Sequence, residues 1–320
     1  MKNIHWIQII GFILMLSSCQ LQEKMKCEVK SMVELTEVPS ASGIEHIGDT
    51  YYAIGDNVPW VFVLDGSFQI TSKFSLGTYS ADEAGLMTKS AKHDFEAMTN
   101  IQWKGVEYLF VFGSGSKQPY RFDGKLIDVT RKVVVQTFSL QEFYEIFRDE
   151  AKLNPDELNI EAAATVNGKL YLFNRGKNRV VMVDVDHFME FITGISESLK
   201  LKSYSIDLPR INDVKAGFSG AVGDDLNERI LFTASVENTD DWVQDGEILG
   251  SFIGVIEVKN LQQHYVPETT QIKAENGKID FKAESISIIE TKGYSYKCAV
   301  VTDNDGRHSE LLEIDLSIFE

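Results

Sequence analysis

The chain has 320 residues, 43% hydrophobic and 11% aromatic, which supplies ample apolar material for a large buried core. A formal net charge of −17 excludes nucleic acid as a natural partner of the folded body and disfavours anionic headgroups, while attracting cations. Length alone permits two domains, but a continuous internal repeat argues for one.

Residues 1–18 read as a signal peptide outside the fold. Lys2 is the only full charge there, and residues 7–16 form an apolar run too short to span a bilayer comfortably. The run ends in Leu16-Ser17-Ser18-Cys19. This ending resembles the lipobox of bacterial lipoproteins, which implies acylation of the Cys19 thiol and a membrane partner through that lipid. Gln20, standing where an Asp would redirect sorting, implies the outer membrane, and no acidic run points to export beyond its periplasmic side. Residues 19–29 then form a lipidated polar tether, and residues 30–320 the folded domain. The oxidising compartment permits a Cys27–Cys298 bridge, but the apolar neighbours Ala299, Val300 and Val301 make a buried free thiol at Cys298 the simpler reading.

Residues 32–38 alternate, with Val33 and Leu35 on one face and Glu34 and Thr36 on the other, and have no hairpin partner beside them. Residues 94–116, DFEAMTNIQWKGVEYLFVFGSGS, then show the repeating unit. An acidic residue enters a strand, a turn follows at Lys104-Gly105, and a strongly apolar strand runs into a Gly/Ser loop. The unit recurs along the chain and aligns Ser42, Glu96, Glu161, Ser219 and Glu284 in one column. Intervals of 54, 65, 58 and 65 residues, built of strands, predict propeller blades. The last repeat holds only three strands (residues 284–290, 296–302 and 310–316), so the solitary N-terminal strand is expected to complete it. The expected fold is an all-β, five-bladed β-propeller closed by that strand, with a short helical insertion.

Second strands at residues 108–112, 170–173, 230–232 and 298–301 are apolar without alternation, as strands stacked on both faces must be. Asp65, Asp123, Asp184 and Asp315 recur at what reads as the exit of four third strands, where Asp forms turns. Residues 139–152 predict a helix with a Ser139–Glu142 capping box and a stripe of Leu140, Phe143 and Phe147, stopped by Pro155. That stripe either docks on the propeller or meets a partner. Residues 186–193 predict a second helix, and residues 239–251 a long acidic loop.

In a propeller, the start of each inner strand and the loop after each second strand share one face near the axis. Glu96, Glu161 and Glu284, with Ser42 and Ser219, therefore converge on a channel mouth. Loops add Asp56, Asn57, residues 114–116, Arg175, Lys177, Asn178, Glu237, Asn238, Asp303, Asn304 and Asp305. Crowded carboxylates need compensation: a hard cation such as Ca²⁺, an ion-pair plug by Arg175, Lys177 or Arg307, or water and a retained proton. Asp303-Asn304-Asp305-Gly306 fails as an EF-hand, because flanking ligand positions fall on Val301 and Leu312. No H-E-x-x-H, C-x-x-C, G-x-S-x-G or Walker motif occurs. His93, beside Asp94, is a candidate general base or simply solvated.

The motifs Asp94-Phe95-Glu96-Ala97-Met98, Ile160-Glu161-Ala162 and Ala283-Glu284-Ser285-Ile286 resemble inner strands of the esterase-like-phytase and SdiA-regulated propeller families. The resemblance implies calcium near the axis, with Glu96, Glu161 and Glu284 as ligands and Asp303 and Asp56 beside them. Ser42 and Ser219 depart from it, and no dense basic cluster suited to phytate is present. The overall pattern is also similar to uncharacterised bacterial propeller lipoproteins. The expected function is a lipid-anchored binding scaffold whose mouth holds Ca²⁺ or a small polar ligand, with Arg175, Lys177, Asn178, Ser42 and Ser219 as ligand contacts. A calcium-dependent phosphoesterase or esterase-like hydrolase using His93, and a structural subunit contacting an envelope protein, are the alternatives.

Overall fold

The computed structural model describes residues 24–83, 85–88, 91–117, 120–239, 246–273, 281–303 and 308–319. The first strand, β1 (Met25–Leu35), lies far in sequence from its partner. Blade 1 follows as β2 (Ala41–Ile47), β3 (Thr50–Gly55), β4 (Trp60–Leu64) and β5 (Ile70–Ser75), antiparallel and in order from the axis outward. Blade 2 is β6 (Phe95–Trp103), β7 (Val106–Gly113), β8 (Asp123–Asp128) and β9 (Val133–Ser139). Helix α1 (Gln141–Ala151) leads to blade 3: β10 (Ile160–Val166), β11 (Lys169–Asn174), β12 (Arg179–Asp184) and, after helix α2 (Val185–Ile192), β13 (Lys202–Ser205). A small hairpin, β14 (Arg210–Ile211) and β15 (Val214–Lys215), precedes blade 4: β16 (Gly217–Asp224), β17 (Arg229–Asn238), β18 (Glu247–Glu257) and β19 (Glu268–Gln271). Blade 5 is β20 (Lys282–Lys292), β21 (Ser295–Asp303), β22 (Ser309–Ile318) and, outermost, β1.

The expected five-bladed propeller, with its N-terminal strand in the last blade, is the observed architecture. Strand β1 pairs with β22 from Met25 opposite Ile318 to Leu35 opposite Ser309. Residues 25–29, expected in the tether, are thus paired strand. They alternate, with Met25, Cys27 and Val29 packed inward and Lys26, Glu28 and Lys30 paired on the outer edge of the blade.

Packing explains why the blades fan about one axis. The core is five apolar clusters, one in each gap between neighbouring blades. Second strands supply the fully buried residues, including Leu109, Phe110, Val111 and Phe112 in β7. Their two faces feed different gaps: Phe110 and Phe112 join the blade 2–3 cluster, Leu109 and Val111 the blade 1–2 cluster. Both helices fill the outside of the blade 2–3 gap, where Phe188 of α2 meets Phe110, Phe112 and Phe143 at ring separations of 5.4, 5.9 and 5.0 Å. The aromatic stripe of α1 docks on the propeller.

Some local expectations fail for identifiable reasons. Ser139 ends β9, so α1 is entered from Leu140 without a side-chain cap, and the Ser139–Glu142 box does not form. Asp123 opens β8 because Arg121 and Phe122 belong to a preceding turn; the exit Asp of that strand is Asp128. Asp315 lies within β22, whereas Asp65 and Asp184 do stand at strand exits, where they accept from the backbone N–H groups of the turn or helix that follows. Both Cys27 and Cys298 are free thiols, Cys298 fully buried. Residues 1–18, Cys19 and residues 240–245 of the acidic loop lie outside the described residues.

Candidate axial charge site

One irregularity recurs in all five inner strands. Pairing with the second strand slips by one residue near the strand's start, and the extra residue is Ser42, Glu96, Glu161, Ser219 or Glu284. A bulge of this kind re-aims one side chain and bends the strand. The aligned sequence column is therefore the set of five bulged positions. We call this end of the disc the mouth face and the end bearing the inner hairpins the hairpin face.

The two serines of the column hold strands together. Ser42 Oγ donates to the Phe95 carbonyl at 2.6 Å, and Ser219 Oγ to the Ala283 carbonyl at 2.6 Å, each in the next blade. The three glutamates join a network of opposite charges. Lys92 Nζ bridges Asp56 Oδ2 of blade 1 and Asp94 Oδ1, the latter at 2.6 Å. Asp94 Oδ2 also accepts from Arg121 at 2.6 Å and Ser114 Oγ at 2.5 Å. Arg175 of blade 3 reaches Glu237 Oε1 in blade 4 at 2.5 Å, Ser235 Oγ at 3.1 Å and Glu161 Oε2 at 3.5 Å. Lys282 then joins Glu237 at 3.0 Å to Glu284 at 2.8 Å in blade 5. Gly217 makes room for this arrangement, since a Cβ there would stand 2.7 Å from Arg175 Cγ.

Three basic side chains thus stitch blades 1 to 2, 3 to 4 and 4 to 5. Among the described residues no ion pair reaches Glu96, which faces Glu161 across the gap between blades 2 and 3. Burial first, then Asp94, Glu161 and Asp56, push the Glu96 carboxyl well above the usual carboxylate range. One carboxylate oxygen from each of Asp56, Asp94 and Glu96 lies within 4.8 Å of the others. Asp56 Oδ1 is buried without a hydrogen-bond donor among the described residues. Burial raises Glu161 and Glu284 as well, Glu284 to about 8, against the opposing effect of Arg175 and Lys282. Burial opposes the charge on Lys282, yet Glu284 beside it holds the ammonium far above its ordinary value. Six carboxylates (Asp56, Asp94, Glu96, Glu161, Glu237, Glu284) face four basic groups (Lys92, Arg121, Arg175, Lys282), and Asp303 adds its field at Glu284.

The other expected residues divide. Arg175 and Glu237 belong to the network. Asn178 is buried and bonds the Ala216 carbonyl at 2.8 Å, bracing β16. Lys177 points outward to Glu157 at 2.7 Å. His93 places Nδ1 3.1 Å from Asp123 Oδ2, with its ring 4.4 Å from Tyr79 and 5.7 Å from Phe95. Asn304, Asp305 and Arg307 lie outside the described residues. Sequence reasoning missed Lys92, Arg121 and Lys282. Lys282 sits two residues before its column glutamate, and side chains two apart in a strand share a face. Asp94 and Asn159 occupy the same offset, and Asn159 Nδ2 donates to Glu161.

Solved structures are similar to this chain. The glutaminyl cyclase of Myxococcus xanthus is 10% identical with a TM-score of 0.50, over 92% of this chain and 97% of that one. The tail fibre of Staphylococcus aureus phage P68 is 12% identical at a TM-score of 0.48, over 92% of this chain and 54% of its own. A duf4221 family member from Bacteroides vulgatus is 7% identical at 0.45, over 93% and 99%. At 10% identity the likeness to the cyclase is one of fold alone. No curated protein matches the sequence. The model of a family of unknown function, DUF6929, matches residues 37–316, and the chain belongs to that family.

Proposed function

We propose that the protein is a lipid-anchored binding scaffold on the periplasmic side of the outer membrane, whose axial mouth takes up a cation at the Asp56, Asp94 and Glu96 carboxylates of blades 1 and 2. One observation carries the reading. Glu96 stands on its bulge with no ion pair among the described residues and feels Lys92 only through its field, whereas Asp56, Asp94, Glu161, Glu237 and Glu284 are each in direct ion pairs. A Ca²⁺ ion suits the donors offered there, which are carboxylate oxygens of Glu96, Asp94 and Asp56, with Glu161 across the gap. Lys92 already neutralises part of this cluster, so a divalent ion and the Lys92 ammonium compete for the same oxygens. A small polar ligand carrying an ammonium group would answer the same electrostatic need.

Thermal unfolding in Ca²⁺ and in chelator tests the reading. Occupancy at 100 times Kd adds about 2.7 kcal/mol, a Tm rise of several degrees, and Glu96→Gln should abolish it. A Tm that ignores Ca²⁺ in the wild type removes the ion from the mouth. The packing of His93 among Tyr79 and Phe95 supports a structural part for the ring, which places the scaffold ahead of a hydrolase. Turnover of p-nitrophenyl phosphate that Glu96→Gln destroys would reverse that order.

A further inference from the structure

The hairpin face carries an apolar patch at the root of the tether. Strand β1 starts at that face, because β20 runs there from the mouth, β21 returns, β22 runs down again and β1 pairs antiparallel with it. Phe319 N–H donates to the Lys24 carbonyl at 2.8 Å, and Ile318 N–H to the Tyr294 carbonyl at 2.9 Å. Asn227 Nδ2 reaches the Gly293 carbonyl at 3.3 Å, which sets the blade 4 hairpin beside that of blade 5. Leu226, Tyr294 and Phe319 therefore form one stretch of surface with relative exposures of 80%, 42% and 43%. Val106 and Val133 are also exposed on this face, at the turns before β7 and β9. Of the large exposed hydrophobics, Tyr120 stands on the mouth face.

We propose that the hairpin face around Leu226, Tyr294 and Phe319 rests on the bilayer that holds the Cys19 acyl chains, with the axial mouth turned away from it. The inference rests on the anchored reading above. Cys19 precedes Met25 by six residues, a reach of at most ~20 Å even fully extended. The lipid therefore enters the membrane close to this patch, and exposed apolar side chains rimmed by polar ones suit an interface with lipid. Tyrosine is a residue favoured at headgroup depth.

The test uses the full chain, processed in a host that acylates lipoproteins, in zwitterionic vesicles containing nitroxide-labelled lipid. Fluorophores are placed singly at L226C or Y120C in a Cys27→Ser background, and circular dichroism checks folding. Strong loss of emission at position 226 and none at 120 is expected. Equal loss at both, greater loss at 120, or a 226 label already shielded in lipid-free protein by a second copy overturns the proposal. The mass of the N-terminal peptide is read on the same sample. A Cys19 without acyl mass ends the anchored reading and this one together, whereas an acylated Cys19 with the wrong quenching pattern ends this one alone.

Discussion

Glu45 is buried at 4% exposure in the wall between blades 1 and 2, and its Oε1 accepts the Asn100 N–H at 3.2 Å. No cation pairs with it among the described residues, and Glu107 on β7 adds a like charge. Burial pushes its pKa up to about 8. A carboxyl raised in the folded state favours folding while protonated. Its contribution is therefore full at acid pH and lost as pH climbs from about 4.5 to about 8, at about 1.4 kcal/mol per unit. Glu45→Gln should flatten the fall in urea stability between pH 5 and pH 8 and leave the variant more stable at pH 8. An unaltered slope would locate the titration elsewhere. Glu96 and Glu161 are raised too, so part of the slope should survive. The column of bulged residues was legible because its motif repeats five times. Glu45 was not, since it occurs in one blade and burial, not residue type, makes it unusual. Lys92 and Arg121 were hidden by irregular loops whose path no periodicity describes.

At the scale of strands and helices, the basic side chains act as clasps between blades. Lys282 joins Glu237 of β17 to Glu284 of β20, with all three side chains largely buried. Removing one partner of a buried ionic group strands the others, so Lys282→Met should cost about 3–5 kcal/mol in chemical unfolding. Lys177→Met breaks only an outward pair with Glu157 and should cost less than about 1 kcal/mol. Equal losses would show that the Lys282 contacts carry no special weight. Ser219→Ala removes a buried donor from the Ala283 carbonyl and should cost about 1–3 kcal/mol, read in the same titration. Strands and helices were legible from their apolar patterns. The helix cap was not: β9 competes for Ser139 through its pairing with Asp123, an interaction local spacing does not express.

The whole ring depends on a strand contributed from the other end of the chain. Deleting residues 24–36 would strip β22 of its outer partner and remove Leu35 and Met25, both buried, from the core. The expected result is a protein that aggregates or unfolds without a single sharp transition, whereas the intact domain melts cooperatively. A truncated form with an unchanged melt would contradict the closure. This global feature was the most legible of all, because a fourth strand was missing from the last repeat and an unpartnered one stood near the start. The same closure decides how the molecule answers mechanical load. The Phe319–Lys24 hydrogen bond and the Met25–Ile318 pair close one end of the β1–β22 ladder, so pulling the two ends apart loads that end before the rest. Rupture then proceeds one rung at a time, as in a zipper, at low force. Traction on the N-terminal end alone, along β1 with the body held by its rim, instead strains many rungs together and meets far greater resistance.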